Sequence, residues 1–142
     1  MTEAQALQSC LAAEHADLFG YGVVGGVLAG VSGASGPQSY ADACYVAHRT
    51  RRDRLIAVLA ELRETPLAAE PAYRLPFRVT GLADCEQLAR QLERRTAAVY
   101  ALAVANTVND SRAMAVDALT DCAIREVAWG APLTAFPGVG KP

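Results

Sequence analysis

Polar residues stand where a helix should be apolar. Leu7, Leu11, Glu14, Leu18, Tyr21, Gly25 and Leu28 follow a 4,3,4,3 spacing, which is one face of a helix in a bundle. Glu14 interrupts that stripe. A buried carboxylate is costly unless it is paired, hydrogen-bonded or protonated, so Glu14 asks for a partner. A second stripe, Ala41, Tyr45, His48, Arg52, Leu55, Leu59 and Leu62, is broken in the same way by His48 and Arg52, which puts partners at hand. His48 is the natural proton carrier, because an unperturbed imidazole titrates near pH ~6.5, and a neighbouring carboxylate could orient it. Neither a Ser-His-Asp nor a Cys-His arrangement can be defended. His15 follows Glu14 directly and points about 100° away around the helix, which makes it a flank or interface residue.

The elements that must position these groups are helices. Periodicity predicts four, over 2–31, 37–64, 82–106 and 111–129. Thr2 with Gln5 resembles a capping box for the first, and Pro37 suits the first turn of the second. Cys85, Leu88, Leu92, Val99 and Leu102 form the inward face of the third, and Met114, Val116, Leu119, Ala123, Ile124 and Val127 the apolar residues of the fourth. Short links join helices 1 and 2, and helices 3 and 4, and short links make antiparallel neighbours. Between helices 2 and 3, residues 65–80 carry Pro66, Pro71 and Pro76, which favour an extended path. Such a link reaches about 50 Å, and helix 2 is about 40 Å long, so the link can run the length of the bundle. The expected fold is all-α, two helical hairpins joined by one long crossover, which is the ferritin-like four-helix topology. The bundle is expected over 1–130 and an irregular tail over 131–142.

Composition removes several alternatives. The chain has 142 residues, 52% of them hydrophobic, with a formal net charge of −2, which is wrong for a disordered chain. A sequence pI near 5.6 argues against tracking nucleic-acid phosphates. The basic run 48–54 scatters around its helix and reads as a solvated face. The apolar stretch 18–31 holds 14 residues, short of the roughly 20 a membrane span needs. The first five residues lack a positive n-region, so no signal peptide is expected. Cys10, Cys44, Cys85 and Cys122 show no C-x-x-C spacing and read as reduced, buried small hydrophobes, in keeping with a cytoplasmic protein. Gly22, Gly26 and Gly30 recur every fourth residue. Such a row admits close approach of another helix, and the expected partner is a second copy of the chain, making a homodimer through this region.

Leu11-Ala-Ala-Glu14-His15-Ala16, the run His48 to Asp53, Tyr73-Arg-Leu-Pro-Phe77, Leu92-Glu93, Asp117 to Ala123 and the Phe136-Pro137-Gly138 tail together resemble a bacterial ferritin-like domain family of undetermined function. The resemblance covers nearly the whole chain and implies the bundle fold without an activity. In metal-binding ferritin-like proteins two helices each give a Glu and two give Glu-x-x-His. Carried over position by position, the resemblance implies Glu14 and Glu93 as the two glutamates, Tyr45 and His48 on helix 2, and Asp117 and Thr120 on helix 4. Tyr45 and Thr120 depart from the pattern, so one bridging carboxylate is missing and the second metal has no imidazole.

Three readings follow. In the leading one Glu14, Tyr45, His48, Arg52 and Asp117 form a satisfied polar network in a structural or interaction module that needs no cofactor. In the second, Glu14, His48 and Asp117, joined by Glu93, bind one divalent metal, iron, manganese or zinc. In the third the same cluster lines a small-molecule pocket and does acid/base chemistry, with His48, Tyr45 and Glu14 as catalytic candidates.

Overall fold

A computed structural model of the chain describes residues 1–140. It has helices α1 (Glu3–Ala29), α2 (Ser35–Glu61), α3 (Leu82–Asn106) and α4 (Asn109–Ala128), and no strand among the described residues. The ends follow from local chemistry. At the start of α1 the Gln5 amide donates to Thr2 Oγ1 at 3.2 Å while the Thr2 amide donates to Gln5 Oε1 at 2.8 Å. This is the expected capping box, and it satisfies two free amides at once. Pro37 lies within the first turn of α2, where a missing N–H costs nothing. That helix stops three residues earlier than its periodicity suggests. Arg63 turns left-handed at φ 61°, and the Glu64 amide reaches back to the Leu59 carbonyl at 2.9 Å, a Schellman ending. Gly130, at φ 102°, closes α4 in the same manner, with the Ala131 amide on the Glu126 carbonyl at 3.1 Å.

The helices form a four-helix bundle. α1 packs against α2 and α3, and α3 against α4. Between α2 and α4 the contact is made largely by long side chains: Arg51 donates to Asp121, and Arg125, held by Asp121 of its own helix at 3.1 Å, donates to Cys44 Sγ at 3.0 Å. The link between the hairpins is an extended strap along α1. The Gln8 side chain donates to the Thr65 carbonyl at 2.7 Å and accepts from the Leu67 amide at 2.9 Å. His15 Nε2–H donates to the Leu67 carbonyl at 3.0 Å. Further along, the Tyr73 ring meets Phe19 at 5.6 Å, and Leu75, Phe77 and Val79 pack against the apolar cluster that includes Val24 and Leu28. The strap therefore carries the chain from one end of the bundle to the other.

Apolar burial is divided. One cluster, with Leu7, Cys10, Leu11, Leu55, Leu59, Tyr100 and Met114, fills one half of the bundle. The other, with Tyr21, Val24, Leu28, Cys44, Leu88, Leu92 and Trp129, fills the other half. All four cysteines are buried free thiols. No described helix is long and apolar enough to cross a membrane. No other described helix of the same chain packs closely on the glycine row. Gly22, Gly26 and Gly30 are exposed, and a Cβ on Gly22 or Gly26 would meet nothing within 4 Å. Within the helices the tight contact is at Gly20, where a Cβ would come within 2.6 Å of Leu92 Cδ1. After α4 residues 130–140 form turns and irregular backbone. Residues 141 and 142 of the expected tail lie outside the described residues.

Candidate functional site

Midway along the bundle, between the two apolar clusters, three helices turn polar side chains inward. α1 supplies Glu14 and Asp17, α2 supplies His48, and α3 supplies Glu93 and Thr96; each is no more than 2% exposed. His48 is the hub. Its Nδ1 lies 2.6 Å from Glu14 Oε2 and 3.4 Å from Asp17 Oδ2, and its Nε2 lies 3.2 Å from Glu93 Oε1. Thr96 Oγ1 donates to Asp17 Oδ2 at 2.5 Å.

Two phenols close the cluster from opposite sides. Tyr100 donates to Glu14 Oε1 at 2.5 Å, and Tyr21 donates to Glu93 Oε1 at 2.5 Å. The bonds cross between α1 and α3, and the two helices carry one pattern: Glu14, Asp17, Tyr21 on one and Glu93, Thr96, Tyr100 on the other, at i, i+3 and i+7. That spacing keeps three side chains on one helix face. Arg51, one turn beyond His48, brings Nη1 to 3.7 Å from Glu14 Oε1 and 3.4 Å from Cys122 Sγ. One polar atom is left over: Glu93 Oε2 is buried without a hydrogen-bond partner.

Burial and pairing oppose each other here. Burial disfavours the His48 cation, but the hydrogen bonds it donates to Glu14 and Glu93 outweigh it and hold the imidazole pKa up at about 10. Asp17 goes the other way from an ordinary acid. Burial drives its pKa up to about 8, and the pull of His48 recovers only part. Glu93 stays below its ordinary value, because its bonds to His48 and Tyr21 overcome the burial. Pairing thus favours the charged form of His48, and burial favours the protonated form of Asp17.

Glu14, His48 and Glu93 meet at the centre. Asp117 does not join them: it is on the exposed side of α4. Thr120 is exposed too and donates to the Val116 carbonyl of its own helix. The α4 side chain that faces the cluster is Cys122, fully buried. The resemblance therefore placed helix 4 two residues out of register: position 122, not 120, lies inward. Tyr45 is half-buried among the apolar residues beside Tyr21 and Cys44. Arg52 lies outside the network and pairs with Asp53 at 2.7 Å, and the arginine that reaches inward is Arg51. The residues missed in the sequence, Asp17, Tyr21, Thr96 and Tyr100, had a signal in the repeated i, i+3, i+7 pattern.

The donor set does not fit a two-metal centre, because α4 brings neither a carboxylate nor an imidazole to the middle. It does fit one cation: Glu14, Asp17 and His48 each offer a ligand atom, all within 4.8 Å of one another. His48 lines neither of two surface cavities. These cavities, of about 260 and 290 Å³, are lined by Glu3, Arg54, Glu61 and Met114 in one case and by Pro37, Tyr40, Glu86 and Trp129 in the other.

Fold and site together define an all-α four-helix bundle with a buried acid–imidazole centre. The chain belongs to the family described as a domain of unknown function, DUF4439, whose model matches residues 6–141. It is similar to a solved structure, that of a conserved hypothetical protein, rv2844, from Mycobacterium tuberculosis. The two share 32% identity with a TM-score of 0.82, over 89% of this chain and 93% of the other. No curated protein matches the chain.

Proposed function

We propose that the protein is a ferritin-like bundle in which a self-neutralising polar core stands in place of a two-metal centre, and that it works as a structural or interaction module. One observation carries the reading: both ring nitrogens of His48 are held by buried carboxylates, and each of those carboxylates also takes a phenol hydrogen bond. Charges satisfied in this way rigidify a core and need no ligand to balance them. The reading includes self-association through Gly22, Gly26 and Gly30, supported by their exposure next to the partly exposed Val23 and Val27. Elemental analysis of gently purified protein tests the first part. Iron, manganese and zinc well below one atom per chain are expected, and two atoms per chain would overturn it. Sedimentation at high micromolar concentration tests the second, and only monomer would remove it.

One feature favours a second reading, a single divalent cation on Glu14, Asp17 and His48. His48 Nδ1 faces two carboxylates but has one proton to give, and Glu93 Oε2 has no donor. Formally, Glu14, Asp17 and Glu93 oppose only His48 and Arg51, so a proton on Asp17 completes the balance. A divalent cation that displaced this proton and the one on Nδ1 would leave the sum unchanged. Glu93 would then hold Nε2–H and orient the ring, as outer partners of metal-bound histidines do. On this reading about one equivalent of manganese or zinc raises the melting temperature of the wild type and not of His48→Ala.

A further inference from the structure

The two crossed tyrosines each donate to a buried glutamate and differ in what surrounds their rings. Tyr100 donates to Glu14 at 2.5 Å, and no aromatic ring is paired with it among the described residues. Tyr21 donates to Glu93 at the same distance, but its ring begins a row. Its hydroxyl oxygen accepts from Trp129 Nε1–H at 2.9 Å, and the two ring centroids are 6.4 Å apart. Trp129 in turn lies 5.1 Å from Tyr40, and both of these line the 290 Å³ surface cavity. Tyr21 is 1% and Trp129 5% exposed, whereas Tyr40 is half-buried at the cleft. A row of oxidisable rings therefore joins the buried centre to the surface.

We infer that Tyr21 is a redox-active side chain, oxidised by one electron through Trp129 and Tyr40 when a one-electron, outer-sphere oxidant meets the cleft. The step balances inside the molecule. The electron passes from the Tyr21 phenol along the row to the oxidant, which is reduced by one. The Tyr21 O–H bond breaks, and its proton moves along the 2.5 Å bond to Glu93 Oε1. The products are a neutral Tyr21 phenoxyl, a neutral Glu93 carboxyl and the reduced oxidant. A short, charge-assisted O–H···O⁻ bond suits this transfer, because donor and acceptor are already at the distance the proton must cross. The Trp129 N–H keeps its bond to the phenoxyl oxygen and holds the ring in place. Tyr100 has the same kind of acceptor, the Glu14 carboxylate at 2.5 Å, and lacks the row, so it is the internal control. The inference does not depend on whether the centre binds a cation or serves as a structural core.

The probe is photogenerated tris(bipyridine)ruthenium(III), with transient absorption and electron paramagnetic resonance as readouts. Wild-type protein is expected to give a neutral tyrosyl radical. Tyr21→Phe should abolish that component, and Tyr100→Phe should leave it. Trp129→Phe and Tyr40→Phe, which alter the edge of the fold, should each slow its formation by about tenfold or more. Glu93→Gln removes the proton acceptor and should suppress the neutral radical. Circular dichroism checks that each variant is folded. Should Tyr21→Phe fail to fold, the Trp129 and Tyr40 variants still decide. A radical that persists in folded Tyr21→Phe, or one whose rate is the same in wild type and in both row variants, overturns the inference.

Discussion

Replacing His48 by alanine removes the cation that holds the centre together. The ring is fully buried and joins Glu14 to Glu93. Without it, two carboxylates remain in the core with the Tyr21 and Tyr100 hydroxyls, and Arg51 at 3.7 Å from one of them. Deleting one partner of a buried ion pair costs about 3–5 kcal/mol, and the hole left by the ring adds to that. The surviving phenol bonds put the expected loss near the lower end, about 3–4 kcal/mol. A chain of this size loses roughly 3 °C per kcal/mol, so the melting temperature should fall by roughly 10 °C. The deficit should narrow in acid, where the stranded carboxylates can take up protons, and widen toward neutral pH. Urea unfolding followed by circular dichroism at pH 5 and pH 7 measures both. Glu14→Gln is the matched control. It keeps the shape and an oxygen for the Tyr100 hydroxyl but takes the charge from one of the two carboxylates that hold His48, so its loss should be smaller than that of His48→Ala, about 1–3 kcal/mol. A His48→Ala protein as stable as wild type at pH 7, or one whose deficit does not change with pH, would refute the claim that His48 is the central cation.

Other outcomes follow from the same geometry. Asp17, raised from 3.8 to about 8, binds its proton more tightly folded than unfolded, so stability should fall as pH climbs through that interval. His48, raised from 6.5 to about 10, contributes stability that is full below pH 6.5 and lost as pH rises toward 10. Glu93, lowered from 4.5, adds stability that disappears in acid. The three together place the optimum at mildly acidic pH, and a thermal midpoint that rises between pH 6 and pH 9 would contradict this. Asp117→Ala, on an exposed face, should change stability by no more than about 0.5 kcal/mol and leave any uptake of manganese or zinc as in wild type, measured by calorimetry. Gly20→Ala pushes a methyl against Leu92. Leu92 must move, and a loss of about 1–3 kcal/mol in urea unfolding is expected from overpacking.

The fold was legible because each signal was local. Thr2 and Gln5 announce a capped start, the 4,3 stripes announce buried faces, and three spaced prolines announce the strap. Arg63 was not legible as a stop, since nothing in its type asks for a left-handed backbone. At the centre, Glu14 and His48 were visible because each breaks an apolar stripe. Asp17 and Thr96 were not, because each sits beside the stripe and becomes inward only when α1 and α3 close together over Gly20. Tyr21 and Tyr100 resemble ordinary core aromatics until their hydroxyls are followed to the opposite helix. Asp117 misled through its chemistry. A carboxylate near the expected position drew the register of α4 toward itself, whereas packing turns the smaller Cys122 inward.

The strap also sets how the chain can assemble. Each hairpin closes across a handful of residues, but the bonds that pin the strap to Gln8 join residues 57 and 59 positions apart. Contacts close in sequence form ahead of distant ones, and tethering two preformed units adds little entropy cost once the tether is long. Neither unit is complete alone: Glu14, Asp17 and His48 belong to the first, Glu93, Thr96 and Tyr100 to the second. The molecule is in this sense a covalently tethered heterodimer whose recognition code is buried. A protease cut within the exposed residues 68–72 would yield two fragments that find each other through complementary charge and crossed phenols.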